Sequence, residues 1–297
     1  MSLLVGCGQK GQGVPQEHVN MQVPRLTNVN DREMPLDEYL LNPAQLESVS
    51  SAYSLSIAQC MRSYGYTFEV PISPLNLGIG DDAPKTRTDG RFGFQSMDHA
   101  KKLGYHPAGG FPQYKKGSTG SGVDREEWFA LTGSRDLGKL SGPGGPIQDG
   151  DKVLSNGCVG NALLKITGSR NGHIGDSEVA TELKFETLTE GQTDERTRKV
   201  FSLWSRCMQE YKYSYRSPLD AMNDPQWGKS DQPFATEIRT AVADQKCRAR
   251  HNVVGVWFAA DFESQERAVL DNQEKLIKAK RLITRQVQAA LKILKRS

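Results

Sequence analysis

No run of about 18 apolar residues occurs anywhere in the 297-residue chain, so no transmembrane helix is predicted. Catalytic signatures are equally scarce. The five histidines (His18, His99, His106, His173, His251) never form H-x-x-x-H or H-E-x-x-H, and no C-x-x-C is present. The common zinc spacings are therefore missing, although a metal site built from distant residues stays open. There is no G-x-S-x-G, the turn that presents a nucleophilic serine. Gly117 and Gly122 stand at P-loop spacing, but Val123 follows where that motif needs Lys. Gly6-Cys7-Gly8-Gln9-Lys10-Gly11 has the letters of a dinucleotide fingerprint, yet too few residues precede it to supply the strand that motif requires. No catalytic, cofactor or metal-binding residue is assigned.

What is present is a block that occurs twice. Cys60-Met61-Arg62-Ser63-Tyr64-Gly65-Tyr66-Thr67-Phe68, with Pro71 beyond it, recurs as Cys207-Met208-Gln209-Glu210-Tyr211-Lys212-Tyr213-Ser214-Tyr215, with Pro218 at the matching place. One further cysteine follows each copy, Cys158 and Cys247. The repeat selects Cys60–Cys158 and Cys207–Cys247 from the three pairings that four cysteines allow. The competing reading is four buried free thiols in a cytoplasmic protein.

The fifth cysteine stands apart. Leu4-Val5-Gly6-Cys7 resembles a lipobox, in which the cysteine is lipidated and becomes the new N-terminus. Only Met1-Ser2-Leu3 precede it, fewer residues than such a signal normally has. The run Gly8-Gln9-Lys10-Gly11-Gln12-Gly13 suits a flexible stalk. The other reading is an ordinary N-terminal cysteine.

Patterning divides the chain into residues 1–45, a lipobox-like leader and flexible tether, 46–190, a first Cys-Met unit with long loops, and 191–297, a second unit ending in a long basic helix. A helix is expected from Asn42-Pro43 to near Gly65, with short ones at Ser96–Leu103 and from Asp124 to Leu131. Another should begin at Gly157-Cys158, one should run from Asp194 through Cys207, and one from Thr236 through Cys247. Glu182 to Thr189 reads as a strand or as a helix end. Val253 to Lys295 keeps an apolar stripe at helical spacing with no Pro or Gly after Gly255. As one helix of some 40 residues it would span roughly 60 Å, projecting or packing along both halves.

Charge is uneven. Eight basic residues and no acidic one lie between Lys275 and the C-terminus, so the net +3 leaves −5 for the rest. Lys275, Lys278, Arg281, Arg285 and Lys292 are a candidate basic docking surface. It would suit a partner helix, an anionic polymer or lipid headgroups, or be a solvated helix end. Nucleic acid is electrostatically feasible, but the acidic body argues against it. Tyr64, Tyr66, Phe68, Tyr211, Tyr213 and Tyr215 alternate, and in extended backbone alternate residues share a face. They form a candidate aromatic platform; the competing reading packs the rings over the disulfides.

Several stretches resemble exported proteins and lipoproteins of actinobacteria that have no assigned activity. They are Cys60-Met61 with Gly65-Tyr66, Gly104-Tyr105-His106-Pro107, Trp128 to Gly133, Gly157-Cys158-Val159-Gly160-Asn161-Ala162, and Ala243-Asp244-Gln245-Lys246-Cys247. The resemblance covers most of residues 50–297 and implies no catalytic residues. Lys212 departs from it where the group has Gly, which predicts a longer or less sharply turned helix end. The expectation is a mainly α, loop-rich, disulfide-stapled protein of the cell envelope. It would be held at the membrane by a lipid anchor and act by binding an envelope protein or anionic cell-wall polymer, with no cofactor. A secreted enzyme using His99, His106, Asp98, Asp81 and Asp82 is the alternative from another class. A cytoplasmic nucleic-acid binder using the C-terminal helix is the third.

Overall fold

The structure is a computed structural model that describes residues 22–30, 32–68, 87–88, 90–93, 95–107, 124–147 and 152–296. Cys7, Pro71, Asp81, Asp82 and the Gly117 to Gly122 stretch lie outside these residues. The described chain is mainly helical, as expected. α1 spans Pro43–Ser63, and Asn42 and Gln45 exchange backbone and side-chain hydrogen bonds of 2.9 Å at its start. α2 (Met97–Leu103) and α3 (Arg125–Thr132) begin on the side chains of Ser96 and Asp124. β1 (Gly145–Pro146) and β2 (Lys152–Val153) form a minimal antiparallel ladder. α4 spans Gly157–Thr167 and places Cys158 in its first turn.

The ambiguous segment after residue 180 is helical: α5 runs Glu178–Thr193. It buries Ala180, Leu183, Thr187 and Gly191, a three-to-four-residue spacing that a strand could not turn to one side. α6 (Glu195–Glu210), α7 (Pro218–Met222) and α8 (Ala235–His251) follow. The expected single C-terminal helix is two, α9 (Val253–Asp271) and α10 (Gln273–Leu294). Asn272 leaves helical geometry at φ −120° and ψ 23°, and its amide side chain donates to the Ala268 carbonyl. Asparagine competes for backbone hydrogen bonds in this way, so the helix ends without Gly or Pro. The break lets α9 pack on α5 and α6 while α10 packs on α1 and α4.

Both predicted disulfides are present, Cys60–Cys158 from α1 to α4 and Cys207–Cys247 from α6 to α8. The two Cys-Met helices end alike. Gly65 N–H donates to Arg62 O and Tyr66 N–H to Met61 O; Lys212 N–H donates to Gln209 O and Tyr213 N–H to Met208 O. Gly65 has φ 82° and Lys212 φ 68°. The expected longer or looser end at Lys212 is therefore corrected: lysine adopts the left-handed turn that glycine takes in the first copy. The hydrogen bonds and Tyr213 packing on the core hold it there. Lys212→Gly should raise stability by about 0.5–1 kcal/mol in denaturant titration, left-handed strain exceeding the entropy that glycine loses. A loss of stability would refute that account.

Among the described residues, packing crosses the boundaries of the division into leader, first unit and second unit. Residues 22–45, save the undescribed position 31, lie against the helices. Asn252, left-handed between α8 and α9, accepts from Leu26 N–H and donates to the Pro24 carbonyl, both at 2.9 Å. Leu36 and Leu40, on the 3-10 turn Pro35–Tyr39 and just after it, pack with Leu183 and Leu276. Phe92, Ala100 and Tyr105, assigned to the first unit by sequence, belong to the core built by α6, α8 and α9. That core includes Trp204, Trp227, Trp257 and the Cys207–Cys247 bridge. The Cys60–Cys158 bridge lies in a separate cluster of α1, α3 and α4.

Candidate functional site

α10 turns one side inward and one outward. Leu276, Ala279, Ile283, Gln286 and Ala290 are buried, spaced three or four apart, on α1, α4 and α5. The opposite side carries Lys278, Arg281, Arg285 and Lys292, and Lys275 lies at its edge beside the buried stripe; all five are exposed. None of the five makes an ion pair with another described residue, whereas Lys280 on the flank pairs with Glu38. The Arg285 guanidinium lies over Gly168, the left-handed residue closing α4, where a Cβ would come within 2.0 Å of it. Four of the basic docking residues named from sequence thus share one exposed face, and Lys275 stands at its edge.

The six aromatic candidates are not. Tyr64, Tyr66 and Phe68 are half-buried against the cluster that holds Cys60 and Cys158. Tyr213 and Tyr215 pack on the second core, and the Tyr215 hydroxyl donates to Asp224 at 2.9 Å. Tyr211 alone of the six is exposed, with Lys246 above its ring at 5.7 Å. Residues next to a disulfide have apolar surface to cover, and these rings cover it.

Of the residues considered for an enzymatic centre, Asp98, His99 and His106 lie among the described residues, and they line neither of the two hollows described below. Asp98 is exposed on α2, and His99 Nε2 meets the His106 carbonyl at 2.8 Å. His106 is sealed at 1% exposure. Its Nδ1 lies 2.7 Å from Glu237 Oε1 and its Nε2 2.9 Å from the Ser230 carbonyl. Both ring nitrogens face acceptors, an arrangement that favours the imidazolium form. Burial opposes that charge, but the Glu237 and Ser230 hydrogen bonds outweigh it and raise the pKa above 6.5.

Sequence reading missed this clamp and two like it. On α8, Asp244 Oδ1 accepts from Trp204 Nε1 at 2.8 Å and from Arg248 Nε at 2.7 Å. Arg248 also donates to the Phe92 carbonyl at 2.7 Å. Arg91 binds the buried Asp261 of α9 and donates to Thr187 of α5 at 3.1 Å. Beside it burial lowers Lys184 to about 8, helped by the Arg87 and Arg91 charges. One signal was available. Glu237, Asp244 and Arg248 fall on the same helical stripe as Ala241, so a charged residue on the inward face was waiting for a partner.

A cleft of about 830 Å³ lies between the 3-10 turn, the start of α1 and α10, lined among others by Asp37, Glu38, Arg87 and Lys280. A shallower hollow of about 420 Å³ follows the outer face of α10. No group of three or more His, Cys, Asp or Glu side chains with metal-binding geometry occurs among the described residues. Nor is any described helix long and apolar enough to cross a membrane. No family model, curated protein or solved structure matches the chain.

Proposed function

We propose that this chain is a non-catalytic binding module of the cell envelope, docked on an anionic partner through the outer face of α10. The observation that carries the reading is the row Lys275, Lys278, Arg281, Arg285 and Lys292, exposed and without ion pairs to other described residues. A helix whose inner side is fixed on α1 and α4 presents these charges at little further cost in order. The two disulfides are compatible with a location outside the cytoplasm. The lipobox-like Leu4 to Cys7 and the resemblance to exported actinobacterial proteins favour an envelope protein tethered through Cys7. The recurrence around Cys60 and Cys207 fits a stapled helix end used twice to stiffen such a scaffold.

Co-sedimentation with isolated envelope fragments, containing both wall polymer and membrane, tests the docking face. The variant Lys278→Glu/Arg281→Glu/Lys292→Glu should bind about a hundredfold more weakly while melting normally. Unchanged sedimentation would sink the reading. The anchor is tested separately by the mass of the N-terminal peptide from native cells: a diacylated Cys7 supports it, and an unmodified residue rejects it.

A further inference from the structure

We propose that the partner of this face is a second copy of the chain, whose α5 sets the Phe185 ring beside Ile277 and its glutamates on Arg281 and Arg285. The proposal rests on the docking reading above and names its partner.

α5 carries the complementary surface. Its inward side is Ala180, Leu183, Thr187 and Gly191. On the other side Glu178, Glu182, Phe185 and Glu186 fall within about 100° of arc, from the helical repeat, and all four are exposed. Phe185 is 65% exposed, and Glu182 stands three residues before it, the spacing of surface neighbours on a helix. Glu190, further along, accepts from the Ser264 hydroxyl and lies 4.0 Å from Arg267. Glu178, Glu182 and Glu186 make no ion pair with another described residue. Lys184, the single basic residue of α5, is turned away to the Arg87 carbonyl at 3.2 Å. An exposed ring among unpaired carboxylates therefore lies on one helix, and unpaired cations lie on another.

The outer face of α10 has a seat for the ring. Ile277, Lys278, Arg281 and Arg285 also fall within about 100° of arc, opposite the buried stripe. Ile277 is 50% exposed, and it lines the hollow of about 420 Å³ with Arg281, Arg285 and Gln288. A cavity of about 150 Å³ suffices for benzene. The hollow therefore takes a phenyl ring, with Ile277 as apolar wall and the guanidiniums placed for cation–π contact. Arg281 and Arg285 stand one turn apart, as do Glu178, Glu182 and Glu186, so two guanidiniums can meet two carboxylates in register. A wall polymer or a headgroup layer would satisfy the cations and leave Phe185 in water. A second copy covers the ring and both rows of charge together. Contact between two helix faces is small, so a Kd on the order of micromolar is expected. Copies tethered to one membrane would meet at a higher effective concentration. Each copy carries both faces, so the contact runs head to tail or closes as a reciprocal pair about a two-fold axis.

The test uses the full disulfide-bonded chain in sedimentation equilibrium, where the parent should self-associate. Phe185→Ser should weaken association about tenfold through lost apolar transfer. Glu182→Arg/Glu186→Arg and Lys278→Glu/Arg281→Glu should each weaken it about a hundredfold, because like charges then face each other. All three variants should melt like the parent. Mixed in equal amounts, the two charge variants should associate about as tightly as the parent, since each keeps the face that the other has lost. A mixture no tighter than either variant alone overturns the proposal. So does a parent that stays monomeric while its envelope sedimentation is lost on charge reversal; the docking reading would then stand with another anion as partner. Envelope sedimentation indifferent to charge reversal overturns both.

Discussion

Replacing Cys60 and Cys158 together by serine is expected to lower stability by about 4–5 kcal/mol, the entropy released when a loop of this length is no longer closed in the unfolded chain. The two residues are 98 apart in sequence, against 40 for Cys207 and Cys247, so this bridge constrains the longer loop. The loss should be local. Cys158 packs with Ile57, Met61, Ala130 and Ala162, a cluster that shares no residue with the core around Trp204, Trp257 and Cys247. Hydrogen exchange should therefore show protection falling on α1, α3 and α4 while α6, α8 and α9 keep theirs. A uniform fall across all helices would mean the two cores unfold as one.

Glu237→Ala is expected to cost about 3–5 kcal/mol, because it leaves a buried cation and two buried amides without their acceptor. Glu237 Oε1 accepts from Tyr105 N–H at 2.8 Å, His106 N–H at 3.1 Å and His106 Nδ1 at 2.7 Å, with the carboxylate fully buried. The clamp is what fixes Gly104 to His106 on α8. Gly104 lies so close that a Cβ there would come within 2.7 Å of the carboxylate. The pH dependence has a definite sign. His106 is raised above its ordinary 6.5, so its stabilisation is complete below that value and is lost as pH rises through the folded-state pKa. The groups facing it are Glu237 and Asp231, with His99 on its carbonyl. In thermal melts, the gap between the parent and His106→Gln should narrow as pH rises above 6.5. A gap that holds constant or widens would show that the ring is neutral in the folded state.

These two effects belong to different levels of the molecule. The disulfide framework, the helix starts at Asn42, Ser96 and Asp124, and the basic face of α10 were legible in sequence. Each depends on residues close together in the chain or on a repeated pattern, and such signals survive without knowing the fold. The capping geometry of Asn42 and Gln45 needs only four residues, and the row from Lys275 to Lys292 needs only helical periodicity.

What tertiary structure alone decided was which long-range partners would meet. Glu237 and His106 are 131 residues apart, and Arg91 and Asp261 170 apart. No local pattern links such positions. Their pairing follows from burying polar groups that must then be satisfied. The break at Asn272 draws on both levels, a local side-chain bond and the packing of the two helices on separate cores. Propensity favours one long helix, but two separate cores offer more apolar surface to two shorter ones. The six aromatics show the converse: alternation in sequence set which rings share a face, and only the position of the disulfides turned most of them inward. Amino-acid order thus determined the staples, the helices and the charge of one face. The fold determined which buried charges meet and which surface was left exposed.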